Sequence, residues 1–328
     1  MINEPRKFLW ALFYLIAFTV TSFLIYGENF VYWMDHIPGA GEDGAKNFYT
    51  VAYHILHDSS LFWFEGMNYP YGEHVLYTDN QPIITNILKI IGGSVTWLPF
   101  LIFLSALTGG YLFFLMLKKE TGQAWFALVA SLSIIFLSPQ WGRLSGHYSL
   151  AYVGLIPILI YLLWKHHQQP NLVRNITMLC VVYCFGWIHP YLLMMSGIFW
   201  FLTASIGILV KQARYRWHDA LWPIGTVLLF VITLKLSDSI TDRPESPYGF
   251  INYSATWASI FLPLGLPYFD SFKDAFTPSQ EGTFYIGLTA IIGTMTGVIY
   301  QVKKRSFDFW SIIMLASIPL VLLSVAFP

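Results

Sequence analysis

The fold class this sequence predicts is an all-α, polytopic integral membrane protein with about nine transmembrane helices, and three observations predict it. The 328 residues are 56% hydrophobic and only 11% charged, against roughly 25% charged in a soluble domain. Apolar runs that cross, or nearly cross, a hydrocarbon core of about 30 Å recur at residues 8–27, 94–117, 123–138, 150–164, 175–189, 191–210, 219–236, 284–301 and 309–327. Basic residues mark alternate ends of those runs, as the retention of Lys and Arg on the cytoplasmic side requires.

With the N-terminus cytoplasmic, Arg6, Lys7, Lys118, Lys119, Lys165, Arg174, Lys211, Arg214, Arg216 and the run Lys303, Lys304 and Arg305 all fall inside. Only Lys46, Lys89, Arg143, Lys235, Arg243 and Lys273 fall outside. Two large loops, 28–93 and 237–283, then face the outside. The protein reads as one transmembrane domain over 1–328. Net charge is zero and no basic tract is interleaved with aromatics, so nucleic acid is not a partner. The inner loops are short and hold no glycine-rich phosphate loop, which argues against an ATP-driven pump.

Taken in order, MINEPRKFLWALFYLIAFTVTSFLIYG is an uncleaved first membrane helix, because its apolar stretch exceeds a signal-peptide core and no small-x-small site follows. The loop after it carries Glu42, Asp43, Glu73 and Asp79, and long loops with several carboxylates are commonly binding or active-site loops. From Ala45 to Leu56 the residues Phe48, Val51, Ala52 and Ile55 share a face, predicting a helix lying in the membrane interface. Asp43, just before it, has two readings. It is an N-cap for free backbone N–H groups, or a general base at the membrane boundary, with Glu42 as the adjacent alternative.

Asn68-Tyr69-Pro70-Tyr71-Gly72 predicts a type I turn, and Pro82 predicts the start of a short surface helix. Between them Glu73, His74 and Asp79 could position a sugar; a divalent cation is the alternative, although their spacing matches no strong metal signature. Trp63, Tyr69, Tyr71 and Tyr77 supply a candidate sugar-stacking surface. The pairs 123–138/150–164 and 175–189/191–210 contain the shortest runs. The turn QWGRLSGHYSL, with Arg143 and His147, and the tight connection His189-Pro190 both lie outside, as does Arg243. Arginine there either binds phosphate oxygens in bidentate fashion or snorkels to lipid headgroups. Glu281 opens a helix near Tyr285, as a favourable charge at its positive end or as an acceptor contact. Cys180 and Cys184, one helical turn apart, read as packing residues rather than a disulfide.

A first membrane helix, a long acidic outer loop with an interfacial helix and then a compact helix bundle together resemble the GT-C superfamily of membrane glycosyltransferases. The segments GEDGAKNFY, NYPYGEHVLYTDNQP, RLSGHYSL, HPYLL and EGTFYIGL are similar to those of bacterial glycosyltransferase-like membrane proteins. The resemblance covers most of the chain. It implies a polyprenyl-phosphate-linked sugar donor, a glycan, lipid or protein acceptor, contact with membrane lipids and a site in the bacterial cytoplasmic (inner) membrane. It also implies that the acidic residue of the first outer loop is the catalytic base, best matched by Asp43 and next by Glu42. The Glu-Asp order departs from the commoner Asp-Glu or double-Asp arrangement, and the sequence stops directly after an apolar run, as a truncated chain would. The expectation is therefore a glycosyltransferase with Asp43 as base, Arg143 and His147 near the donor phosphate, Glu73 or Asp79 shaping the sugar pocket, and His189, Glu281 and Tyr285 as further substrate contacts. A lipid or glycolipid transporter, an accessory subunit and an inactive scaffold are the alternatives.

Overall fold

The structure, a computed structural model, describes residues 4–31, 42–212, 214–243, 288–304 and 307–326. It is nearly all α-helical. The helices are α1 (Glu4–Val31), α2 (Glu42–Leu56), α3 (Pro82–Ile90), α4 (Leu98–Thr121), α5 (Ala124–Phe136), α6 (Leu155–Gln168), α7 (Leu172–Ile188), α8 (Pro190–Leu209), α9 (Leu221–Ser237), α10 (Leu288–Lys304) and α11 (Phe309–Ala326). An antiparallel ribbon, β1 (Trp63–Phe64) with β2 (Glu73–His74), sits in the first loop. Among the described residues six helical segments are long and apolar enough to cross a membrane: Phe8–Gly27, Val95–Thr121, Ala124–Leu144, Tyr148–Gln168, Pro190–Leu209 and Trp217–Ser237. Leu172–Ile188 and Phe309–Leu322 are shorter apolar helices.

The chain divides into two compact units, Met1–Ser196 with Gly225–Ile240, and Gly197–Ile224 with Thr241–Pro328. In the first, α4 is central because consecutive glycines open two of its faces. A Cβ on Gly109 would overlap the Gly154 backbone at the start of α6, and one on Gly110 would overlap the Tyr14 hydroxyl of α1. Small residues at such crossings let backbones approach closely. Tyr14 and Phe18 of α1 are buried against Phe114 and Phe136, whereas Phe8, Leu24 and Val129 are exposed, as lipid-facing side chains would be. On α7 Cys180 is exposed and Cys184 half-buried, both as free thiols, so the packing role expected of the pair fits only Cys184.

Successive helices of this unit run back and forth, and their ends sort by chemistry. At one end Lys119 donates to Gln168 at 2.9 Å, the Trp164 indole N–H donates to Glu120 at 2.8 Å, and Lys118 lies 4.8 Å from the Trp10 ring centroid. At the other end lie the start of α2, the turn before α3, residues 139–154 and the α7–α8 junction. The second unit has its own apolar cluster of Ala204, Tyr215 and Ile312, and within it the Gln212 side-chain amide donates to the Phe307 carbonyl.

Helix α2 (Glu42–Leu56) buries polar residues. Its fully buried side chains are Asn47, Thr50, Val51 and His54, a mainly polar stripe, while Phe48, Ala52 and Ile55 are only partly covered. The polar face turns into the protein because its groups are bonded there. His54 Nδ1 lies 2.7 Å from Asp58, His54 Nε2 lies 3.0 Å from the Asn86 side-chain oxygen, and Asn80 Nδ2 donates to the Thr50 carbonyl at 2.8 Å. Lys89 Nζ closes the same corner onto the carbonyls of Asp58 and Ser60. Pro82 does open α3, as an N-terminal proline predicts. The expected type I turn is corrected. The turn runs from Asn68 to Tyr71, closed by the Tyr71 N–H to Asn68 oxygen bond at 2.8 Å, with Pro70 third and preceded by a cis bond.

Candidate functional site

Three sequence-distant segments converge on Asp79. Its Oδ2 accepts hydrogen bonds from Asn47 Nδ2 at 2.9 Å and His147 Nδ1 at 3.1 Å, its Oδ1 accepts from the Ser149 hydroxyl, and His189 Nε2 lies 3.9 Å from Oδ1. The side chain is only 12% exposed. A buried charge persists when donors replace its lost hydration, and here three side chains supply them.

The backbone is bent to make that possible. Asp79 and Gln81 both hold left-handed conformations, at φ 61° and 59°, each costing about 1–2 kcal/mol for a residue with a Cβ. Bonds on both sides of Asp79 hold the segment there. Asn80 donates to Thr50 of α2, and the buried Tyr152 hydroxyl donates to Gln81 Oε1 at 2.7 Å. Gly146 supplies the close approach opposite. A Cβ there would fall 3.2 Å from the Asp43 Cβ, and the Gly146 carbonyl accepts a second bond from Asn47 Nδ2 at 2.5 Å. Tyr148 adds a hydroxyl bond to the Gly44 carbonyl at 3.3 Å. The turn 139–150 is thereby seated on the first turn of α2.

Histidine geometry follows from this frame. An ionised carboxylate only accepts, so His147 donates from Nδ1. In the neutral ring Nε2 is then free of hydrogen, and it faces Asp43 Oδ2 at 3.7 Å. Asp43 is 60% exposed, with Lys46 Nζ 3.9 Å from its other oxygen. Since α2 begins at Glu42, Asp43 lies within the first helical turn rather than before it. The N-cap reading is corrected, although a carboxylate in the first turn still favours the helix dipole. On His189, Nδ1 accepts the Tyr191 N–H at 3.1 Å, which leaves Nε2 as the protonated nitrogen, on the side of Asp79.

Electrostatics separates the two rings. The hydrogen bond to Asp79 raises the His147 pKa above its ordinary value; burial opposes the rise, the charges of Asp79 and Asp43 add to it, and Arg143 opposes it. Burial lowers the His189 pKa, with Asp79 countering in part. For Asp79 burial alone pushes upward, but the bonds from His147 and Ser149 and the charges of the two histidines outweigh it and hold the pKa low. The site therefore combines a fixed carboxylate, one imidazole with a raised pKa, one with a lowered pKa and an open carboxylate.

Of the residues singled out from sequence, Asp43, Asp79, His147 and His189 meet here, and Arg143 is close enough for its charge to act on His147. Glu73 instead lies on the β1–β2 ribbon, where its Oε1 accepts the His74 N–H at 2.7 Å. Of the aromatic residues expected to stack on sugar, Tyr69, Tyr71 and Tyr77 are exposed. Glu42 opens α2. Glu281 and Tyr285 lie outside the described residues, as does Lys273 of the second loop. Sequence reasoning missed Asn47 and Ser149. Asn47 stands four residues after Asp43, one helical turn away, and that spacing is the signal that could have found it. The alternative of a divalent cation fits Asp79 poorly, because N–H and O–H donors already occupy both of its oxygens. Among the described residues no group of three or more His, Cys, Asp or Glu side chains is arranged to hold a metal.

Fold and site together define a helical protein with membrane-length apolar helices and an acid–histidine cluster gathered from its polar loops. Over residues 8–327 the chain matches the family described as a domain of unknown function (DUF6311), and it belongs to that family. No curated protein and no solved structure matches it.

Proposed function

We propose that the protein is a membrane glycosyltransferase of GT-C type, moving a sugar from a polyprenyl-phosphate-linked donor to an acceptor on the outer face of a bacterial cytoplasmic membrane. The observation that carries this reading is the exposed Asp43 carboxylate facing His147 Nε2, with the imidazole held from behind by buried Asp79. Asp43 takes the proton of the acceptor hydroxyl. The freed oxygen bonds to the anomeric carbon, the bond from that carbon to the phosphate oxygen breaks, and the electron pair leaves on the phosphate. Arg143 and protonated His147 offset the charge that develops there.

Nine crossings with a cytoplasmic N-terminus are part of the same proposal. The apolar runs correspond to α1, α4 to α9, α10 and α11, and Asp43, Asp79, His147 and His189 come from three loops that this topology assigns to one side. The test is transfer in membranes supplied with polyprenyl-phosphate sugars. Asp43→Asn is expected to lower transfer by about 10²–10⁴-fold while the purified protein stays folded, and full transfer by that variant would overturn the assignment. Arg143→Ala is expected to weaken binding of the polyprenyl-phosphate donor measured by native mass spectrometry.

A further inference from the structure

A cavity of about 570 Å³ lies between α3, α7 and α9 in the first unit, within the range of pockets that hold small organic ligands. Ile83, Ile87 and Ile90 form its α3 wall, and Tyr183, Trp187 and Leu236 face them from α7 and α9. The polar side chains in its wall are hydrogen-bonded within the protein. Asn86 donates to the Leu61 carbonyl, and Tyr183 donates to Thr233 Oγ1 at 3.0 Å. Ser237 donates to the Leu234 carbonyl and meets His74 Nε2 at 3.1 Å. Among the described residues no Lys or Arg lines it. A hydrocarbon chain matches such a wall; a charged group does not.

Both walls run directly into the polar cluster. Trp187 stands two residues before His189 and Pro82 stands three after Asp79, so backbone spans of at most about 7 and 11 Å join cavity and cluster. A molecule bridging them has an apolar chain and a polar head. Where the walls meet the cluster stands the Asp79 carboxylate, which disfavours a phosphate beside it. At the open end Asp43 Oδ2 and His147 Nε2 are 3.7 Å apart. That is too long for a direct bond, yet it allows one hydroxyl oxygen to reach both.

We infer that this cavity binds the hydrocarbon chain of a neutral lipid and presents that lipid's hydroxyl head to Asp43 and His147, which makes the acceptor a hydroxyl-bearing membrane lipid. The acceptor role rests on the glycosyltransferase reading; the lipid site does not.

The experiment is native mass spectrometry on the detergent-purified full chain with dioleoylglycerol and with dioleoyl phosphatidate. Wild type is expected to retain dioleoylglycerol about tenfold more tightly than phosphatidate. Ile87→Trp and Leu236→Trp, which fill the cavity from two exposed wall positions, are expected to lose that retention, whereas Ile91→Trp, exposed but outside the wall, keeps it. Two substitutions on separate helices guard against a folding defect in either. Equal or tighter binding of phosphatidate overturns the neutral head, and retention unaffected by both tryptophans overturns the site. Cavity-dependent binding without glycosylated product from any polyprenyl-phosphate sugar leaves the lipid site standing and overturns the acceptor role alone.

Discussion

At one end of the first unit Asp79 gathers Asn47, His147 and Ser149 around a buried charge, held there by two left-handed residues. At the opposite end the ionisable groups serve the helices themselves. Arg174 donates to the carbonyls of Lys165 and Gln169 at the end of α6, Lys119 and Lys165 lie 5.0 and 5.2 Å from the Trp164 ring centroid, and Gly122 stops α4 at φ 70°. Both ends are rich in charge, and the difference is convergence. Contacts at both ends join distant segments, but at the capping end they are separate pairs, while the Asp79 cluster focuses three donors, 32 to 70 positions away, on one carboxylate in a strained backbone. The bonds on both sides of Asp79 hold that strain in place, and it brings distant polar groups together.

The largest effect is expected of Asp79→Asn. Loss of the acceptor frees His147 from its Nδ1-bonded tautomer, and transfer is expected to fall by about 10³-fold or more, the scale seen when such an orienting carboxylate is replaced. The folded protein should lose about 1–3 kcal/mol, because the donors that faced the carboxylate lose an acceptor. Transfer rate and unfolding in detergent read the two effects separately. Activity kept while stability falls would reduce the cluster to a structural clasp.

How much of this was readable in the sequence follows the same division. The apolar runs correspond to helices because length and composition alone set them, and GRLSGHYSL and His189-Pro190 stood out because polar residues are costly between such runs. The polar contacts of α2 were not legible. Phe48, Val51, Ala52 and Ile55 mark an apolar face suited to the membrane interface, but that periodicity does not show that Asn47, Thr50 and His54 are buried beside Val51. Their partners Asp79, Gly146 and Asn86 come from segments up to 99 positions away, and no local periodicity encodes them. Nor does the sequence show that Asp79 and Gln81 adopt φ > 0, a conformation expected first of glycine.

Packing offers the next test, independent of charge. A Cβ on Gly154 would overlap the Ser105 carbonyl, so Gly154→Ala must move backbone where α4 meets α6. A loss of about 1–3 kcal/mol is expected in thermal unfolding. Gly146→Ala, with its nearest contact at 3.2 Å, should cost less stability while displacing Asp43 from His147, so its larger effect should be on transfer.

Titration sharpens the contrast within the cluster. In histidine-resolved NMR, His147 should titrate above the ordinary value of about 6.5 and His189 below it. Because the folded pKa of His147 is raised, its contribution to stability is complete below about pH 6.5 and is lost as pH rises through the folded value. The depressed His189 and Asp79 act in the opposite sense. Each contributes above its unfolded value, about 6.5 and 3.8 respectively, and that contribution is lost as pH falls through the folded one. Asp79→Asn should return His147 toward its ordinary value, and an unchanged His147 titration in that variant would show that the hydrogen bond does not govern it.

The smallest effect belongs to the opposite end. Lys119→Gln removes an ammonium that lies 5.0 Å from the Trp164 centroid and donates to Gln168, where a cation–aromatic contact is worth about 0.5–1 kcal/mol. The amide can still reach Gln168, so the expected cost in detergent unfolding lies at or below that range, with transfer unchanged. A Lys119→Gln variant that lost transfer as fully as Asp79→Asn would mean that the two ends are coupled through α4 and α6, and that charge at the capping end serves the reaction as well as the fold.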